Sequence, residues 1–242
     1  MDGSGSSLRL RLLSGFAVFH DGRPVDLPMG AQRVIALLAL HNRPLQRDYI
    51  AGMLWLDTPD ERAAANLRST LWRIQQRVDG LLEARGTSLR LGASVTVDLR
   101  EAEVLARGEL DGRVSAWQVD ELAGDLLPDW YDDWVVLERE RFRQLRLQAL
   151  ESLCDRHIDR GDLGKALDAA LATLLGEPLR ESAHRAVIRV HLASGNLADA
   201  LRQYSLCRRL LREHLDVEPS PQLTSLIGDA AVMARRDAPA PS

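Results

Sequence analysis

Cysteine is scarce. Cys154 and Cys207 are the only two in 242 residues, too few for a disulfide framework or a zinc site built from cysteine alone. Lysine is scarcer still: Lys165 stands alone among 31 basic residues, a bias that codon GC content produces without any functional demand. No run of roughly 18 uncharged apolar residues occurs, which excludes a helical membrane span. The opening Met1-Asp2-Gly3-Ser4-Gly5-Ser6-Ser7 has neither a basic stretch nor an apolar one, so no signal peptide is read there and a cytoplasmic location is expected.

What is present is enough to build a core. Apolar residues make up 45% and charged residues 27%, which excludes disorder over the whole chain and fits one large domain or two small ones. The net charge of −4 is unevenly spread. Residues 1–95 hold 12 arginines and 9 acids, a balance of +3, whereas residues 96–242 hold 19 basic and 26 acidic residues, a balance of −7. A mildly basic front half suits an anionic partner; an acidic rear half does not.

The front half reads as strands, then helices, then strands. Leu8-Arg9-Leu10-Arg11-Leu12 alternates at period two, Phe16-Ala17-Val18-Phe19 follows, and Asp21-Gly22 turns the chain into Val25-Asp26-Leu27. These predict a small antiparallel sheet. Helical spacing predicts a helix over about 30–41, a short one over 47–55 and a longer one over 60–79, capped by Thr58 or Asp60. Leu89 and Leu91, with Val95 and Val97 beyond Gly92-Ala93-Ser94, predict a closing hairpin.

Beyond residue 98 the pattern is almost wholly helical. Segments near 100–107, 115–122, 132–160, 162–175, 179–194, 196–214 and 220–235 are separated by Gly, Pro or Asn. An internal repeat runs through them: His157, Gly161, Asp162, Leu163, Ala166 and Leu167 recur 34 residues later as His191, Gly195, Asn196, Leu197, Ala200 and Leu201. That period, with Gly at the helix–helix turn and Ala at the close contact, is the tetratricopeptide pattern. The expected architecture is therefore mainly α with small β: a winged helix-turn-helix at 1–97, an all-α tetratricopeptide-like domain at 98–235, and a tail at 236–242.

The third helix carries the chemistry. At about 100° per residue, Leu67, Leu71, Ile74 and Val78 share a core-facing sector. The opposite face holds Arg62, Ala65, Ser69, Arg73 and Gln76, with Asn66, Trp72 and Arg77 at its margins. Arg, Gln, Ser and Asn match the donors and acceptors of base edges in the major groove, and no acid lies between Arg62 and Arg77. A lone polar helix face is ordinarily only solvated. In a strand–three-helix–hairpin order, however, the third helix enters the major groove and the hairpin, which carries Arg85 and Arg90, reaches the flanking phosphates. Ser69, Arg73 and Gln76 are therefore expected on bases, Arg62, Arg77 and Arg90 on phosphates, and Trp72 either on a thymine methyl or against a neighbouring helix.

The strings Gly30-Ala31-Gln32-Arg33, Leu54-Trp55 and Ala65-Asn66-Leu67-Arg68-Ser69-Thr70-Leu71-Trp72-Arg73-Ile74 resemble the OmpR-like winged-helix half of SARP-type regulators. Leu137-Glu138-Arg139, the Gly195 turn and Val217-Glu218-Pro219-Ser220-Pro221 resemble their bacterial transcriptional activator domain. The resemblance implies a transcription factor, usually an activator, that binds direct repeats in double-stranded promoter DNA as a homodimer and recruits RNA polymerase. It also implies that the loop around Leu56, Asp57 and Asp60 faces polymerase. The chain departs from the family at Arg68-Ser69-Thr70, at the bulky Trp72, and at Ser88-Leu89-Arg90-Leu91, where Gly-Tyr-Arg-Leu is usual. Larger relatives append an ATPase module; Gly164-Lys165 is no P-loop, because Asp159 stands where the first glycine is needed.

No catalytic, metal or cofactor constellation is read. His157 and His191 are repeat mates with a packing role, the two cysteines read as buried thiols, and Asp129, Asp132 and Asp133 around Trp130 and Trp134 read as a solvated interdomain loop whose aromatics wedge the domains together. The rival to a DNA-binding regulator is an adaptor: a tetratricopeptide-type protein-interaction module whose winged helix no longer binds DNA.

Overall fold

Leucines alternating with arginines turn one side of the opening segment to the core, and Leu8, Leu10 and Leu12 are all buried. In the structure, a computed structural model that describes residues 7–113 and 117–236, strand β1 (Leu8–Arg11) pairs antiparallel with β2 (Ala17–His20) and β2 with β3 (Arg23–Val25). Asp21 and Gly22 make the turn at φ of 50° and 76°, the left-handed conformation that Asp-Gly tolerates.

Three helices follow in the expected order: α1 (Met29–His41), α2 (Arg47–Leu54) and α3 (Asp60–Arg77). Helix α1 buries Ala31 and the run from Val34 to Ala39, and stops at Asn42, which is left-handed at φ 47°. Helix α3 starts behind Pro59 with no side-chain cap, in place of the expected Thr58 or Asp60 cap. Asp60 and Glu61 instead occupy its first turn, where negative charge suits the positive end of the helix dipole.

The closing hairpin differs from the sequence expectation. Strand β6 (Ser88–Leu91) pairs with β5 (Leu82–Arg85), not with β7 (Val95–Val97), and joins β4 (Leu45–Gln46) in a three-stranded sheet ordered β4-β6-β5. Strand β7 runs parallel to β1 and completes the other sheet, β3-β2-β1-β7. Gly92 is a crossover here. Its N–H donates to Leu81 O at 2.9 Å, and a Cβ at this position would lie 2.0 Å from the Gly80 carbonyl oxygen. Asp98 then ties the sheet together, accepting the backbone N–H of Leu12 at 2.8 Å and of Leu13 at 3.0 Å.

Two compact units result. One is built from residues up to Ala102 together with Ala123–Phe142, the other from Glu103–Leu122 together with residues from Arg143 on. The segment around Trp130 is therefore part of the first unit rather than a solvated loop. Trp130 is 9% exposed and stacks on Phe16 at 5.8 Å, Asp132 is bound by the Arg33 guanidinium, and the backbone N–H of Leu127 donates to Leu12 O at 2.9 Å.

The second unit contains helices α4 (Asp98–Leu110, from Glu103 on), α5 (Asp133–Asp159, from Arg143 on), α6 (Leu163–Gly176), α7 (Glu181–Ala193), α8 (Leu197–Leu215) and α9 (Pro221–Arg236). The two repeat turns share their closing bonds. Gly161 and Gly195 sit at φ of 76° and 71°, and the N–H groups of Asp162 and Asn196 reach His157 O and His191 O at 2.9 and 2.8 Å. Ala166 and Ala200 are both fully buried. Of the helix expected at 115–122, the first residues lie outside those described and the rest is a short 3-10 turn, Val119–Leu122. The tail 237–242 also lies outside them.

Candidate nucleic-acid interface

Burial on α3 follows the helical wheel. Ala63, Leu67, Thr70 and Ile74 are buried and Leu71 half-buried. Arg62, Ala65, Asn66, Ser69, Trp72, Arg73, Gln76 and Arg77 are all exposed, so one side of the helix presents the full set of residues singled out from the sequence. Trp72 is 64% exposed, which decides against packing on a neighbouring helix. Arg62 and Arg73 make no hydrogen bond or ion pair among the described residues, whereas Arg77 donates through Nη1 to Asp26 O at 3.3 Å.

The sequence pattern gave no reason to single out Arg68. It is exposed, about 120° around the helix from Arg62 at 100° per residue, and it widens the cationic face beyond Trp72. Arg85, to which the sequence assigns no contact of its own, is exposed at the tip of the β5–β6 hairpin beside Gly86. Arg90 is on the hairpin as expected but is not free. Its Nε donates to Glu83 Oε2 at 2.9 Å and its Nη2 to the same oxygen at 2.5 Å. Glu83 is not visible as its partner until the strand pairing is known, because Glu83 and Arg90 face each other in the β5–β6 register.

The hairpin turn is tied to the start of α2. Thr87 Oγ1 donates to Gln46 Oε1 at 2.7 Å, and Arg47 N–H donates to Thr87 O at 3.0 Å. The hairpin is thereby fixed against the helical core. Between α2 and α3, Leu56 is 80% exposed and Asp57 is exposed on the same connection, and Asp60 is exposed at the first position of α3.

Residues elsewhere do not assemble a reactive group among those described. Burial pushes the Cys154 thiol up to about 12 and the Cys207 thiol up to about 11, so neither is a ready thiolate. Burial also holds His157 and His184 below the usual imidazole range. The Nε2 of His184 donates to Pro178 O at 2.9 Å while its Nδ1 accepts from Gln203 at 2.8 Å, which satisfies a neutral ring.

A winged helix followed by a tetratricopeptide-like domain defines a class of regulator. The bacterial transcriptional activator domain model matches residues 97–229, and the chain belongs to that family, as a SARP-type transcriptional regulator. It is 29% identical over 240 residues to the regulatory protein AfsR of Streptomyces coelicolor, covering 91% of this chain and 24% of that protein. It is 27% identical over 243 residues to AfsR of Streptomyces griseus, covering 92% of this chain and 24% of that one. The chain thus spans about a quarter of the length of these relatives. Among solved structures, Mycobacterium tuberculosis EmbR in complex with a low affinity phosphopeptide superposes with a TM-score of 0.70 at 21% identity, over 95% of this chain and 66% of that one. That likeness shows the fold.

Proposed function

We propose that the chain is a sequence-specific DNA-binding regulator whose α3 enters the major groove. In this reading Ser69, Arg73 and Gln76 meet base edges, Trp72 meets a thymine methyl, and Arg62, Arg77 and Arg90 meet phosphates. One observation carries it: the exposed side of α3 holds two arginines, Arg62 and Arg73, with no partner among the described residues.

The family resemblance supports activation, with two copies side by side on direct repeats of promoter DNA and with RNA polymerase contacted by Leu56, Asp57 and Asp60. Leu56 is 80% exposed on the connection between α2 and α3 and so is open to such a contact.

Selection of duplexes from a random pool by the full chain tests this reading. Enrichment of a repeated motif, with two protein copies per duplex, is the expected outcome. Failure to enrich any sequence, together with capture of a protein partner in the absence of DNA, would favour the adaptor instead.

A further inference from the structure

The second unit carries an open cleft of about 840 Å³, within the range of small-molecule sites. Its walls are Trp117 and the 3-10 turn Val119–Leu122, the end of α5, and α6. The internal repeat supplies a comparison within the chain. Thirty-four residues on, Leu171 and Leu175 are matched by Ser205 and Arg209. Yet Leu175 is 83% exposed and Leu171 41% exposed, so the first repeat keeps apolar side chains where the second keeps polar ones.

Charge follows the same contrast. The mates of Lys165 and Asp168 are Asp199 and Arg202, which pair with each other within one turn of α8. Lys165, Asp168 and Arg160 make no ion pair among the described residues. Below them His157 is 8% exposed and its Nδ1 has no hydrogen-bond partner; Asp162 Oδ2 stands 3.6 Å away. The framework around these groups is firmly built. Buried Glu109 accepts from Trp117 Nε1 at 2.7 Å and from Arg156 Nε at 3.1 Å, which fixes the indole and commits Arg156.

We propose that this cleft binds a small amphipathic anion. The apolar body lies along Trp117, Leu153, Leu171 and Leu175, and the acidic group meets Lys165 and Arg160. Four carboxylates, Asp120, Glu121, Asp162 and Asp168, also stand in the lining; they accept from a hydroxyl or amide on the ligand and repel polyanions, so the site takes a molecule with one acidic group seated on Lys165 and Arg160 and not a nucleic acid. This inference is independent of what α3 binds.

The probe is 1-anilinonaphthalene-8-sulfonate, an aromatic body with one sulfonate, titrated into the full chain. Saturable binding at one site is expected. Lys165→Gln and Leu175→Arg are each expected to weaken it by about tenfold, with no change in melting temperature because both side chains are exposed. Leu175→Arg installs the residue that the second repeat carries at this position. Octanoate is expected to displace the probe and octylammonium is not. Because Lys165 is the only lysine, its acylation by an amine-selective reagent, read at that residue by peptide mapping because an α-amino group also reacts, reports occupancy separately, and bound probe is expected to slow it. Non-saturable binding, equal affinity in both variants, or equal displacement by octylammonium would overturn the proposal.

Discussion

Glu83 neutralises Arg90 on the hairpin. One carboxylate oxygen takes both the Nε and the Nη2 of the guanidinium, at 2.9 and 2.5 Å, and the other takes the Ala93 N–H at 2.9 Å. The Ala93 amide first, and Arg90 second, hold the Glu83 carboxyl below the usual carboxylate range, so the pair is formed at neutral pH. Nη1 of Arg90 stays uncommitted to Glu83 and, under the proposed function, is the donor that would meet a phosphate.

Glu83→Gln keeps an acceptor beside Arg90 but removes the opposing charge. The substitution is expected to tighten DNA binding several-fold and to steepen the salt dependence by up to about 0.9 in slope if Arg90 gains a full phosphate contact. Fluorescence anisotropy at several salt concentrations measures both. Arg90→Ala is expected to abolish the gain from Glu83→Gln when the two are combined.

The repeat turns supply a second expectation. Gly161 and Gly195 hold φ of 76° and 71°, and nothing lies within 4 Å of where a Cβ would stand on either. Alanine there meets no clash and costs only the left-handed backbone. Each substitution is expected to destabilise the fold by about 1–2 kcal/mol, read as a fall in the urea midpoint at unchanged slope. Ala200→Leu is expected to act differently: the site is fully buried, so overpacking costs about 1–3 kcal/mol.

Histidine burial sets a pH response. His184 is depressed chiefly by desolvation, against the raising effects of the Pro178 carbonyl and Glu181. Because the folded ring resists protonation while the unfolded ring accepts it, the unfolded state binds more protons below the ordinary imidazole value. Stability is then full well above about pH 6.5 and falls as the pH drops through and below that value. His157, also depressed, adds to the slope. Thermal melts of the full chain between about pH 8 and 5 are expected to show this fall, and His184→Gln to flatten part of it.

Long-range contacts mark where the sequence stops being legible. The face of α3 is readable because Leu67, Ile74 and Val78 repeat at helical spacing and all three are buried. The tetratricopeptide turns are readable because each is closed by local bonds, such as Asn196 N–H to His191 O at 2.8 Å. The hairpin is not. Leu89, Leu91, Val95 and Val97 alternate in both candidate pairings, and the choice is made by β1, which takes β7 as a parallel neighbour. Glu83 stays hidden with it, since its position opposite Arg90 depends on that pairing. Trp130 reads as a loop aromatic until Phe16 is seen against it at 5.8 Å.

Affinity of the Arg73→Ala variant for a duplex recovered by selection tests the role of α3 most directly, measured beside the unaltered chain at the same salt concentrations. A loss of about 1–3 kcal/mol on that duplex, with little loss on a scrambled one, is the expected result. Equal affinity of the two proteins for the selected duplex at every salt concentration would contradict groove reading by this helix face.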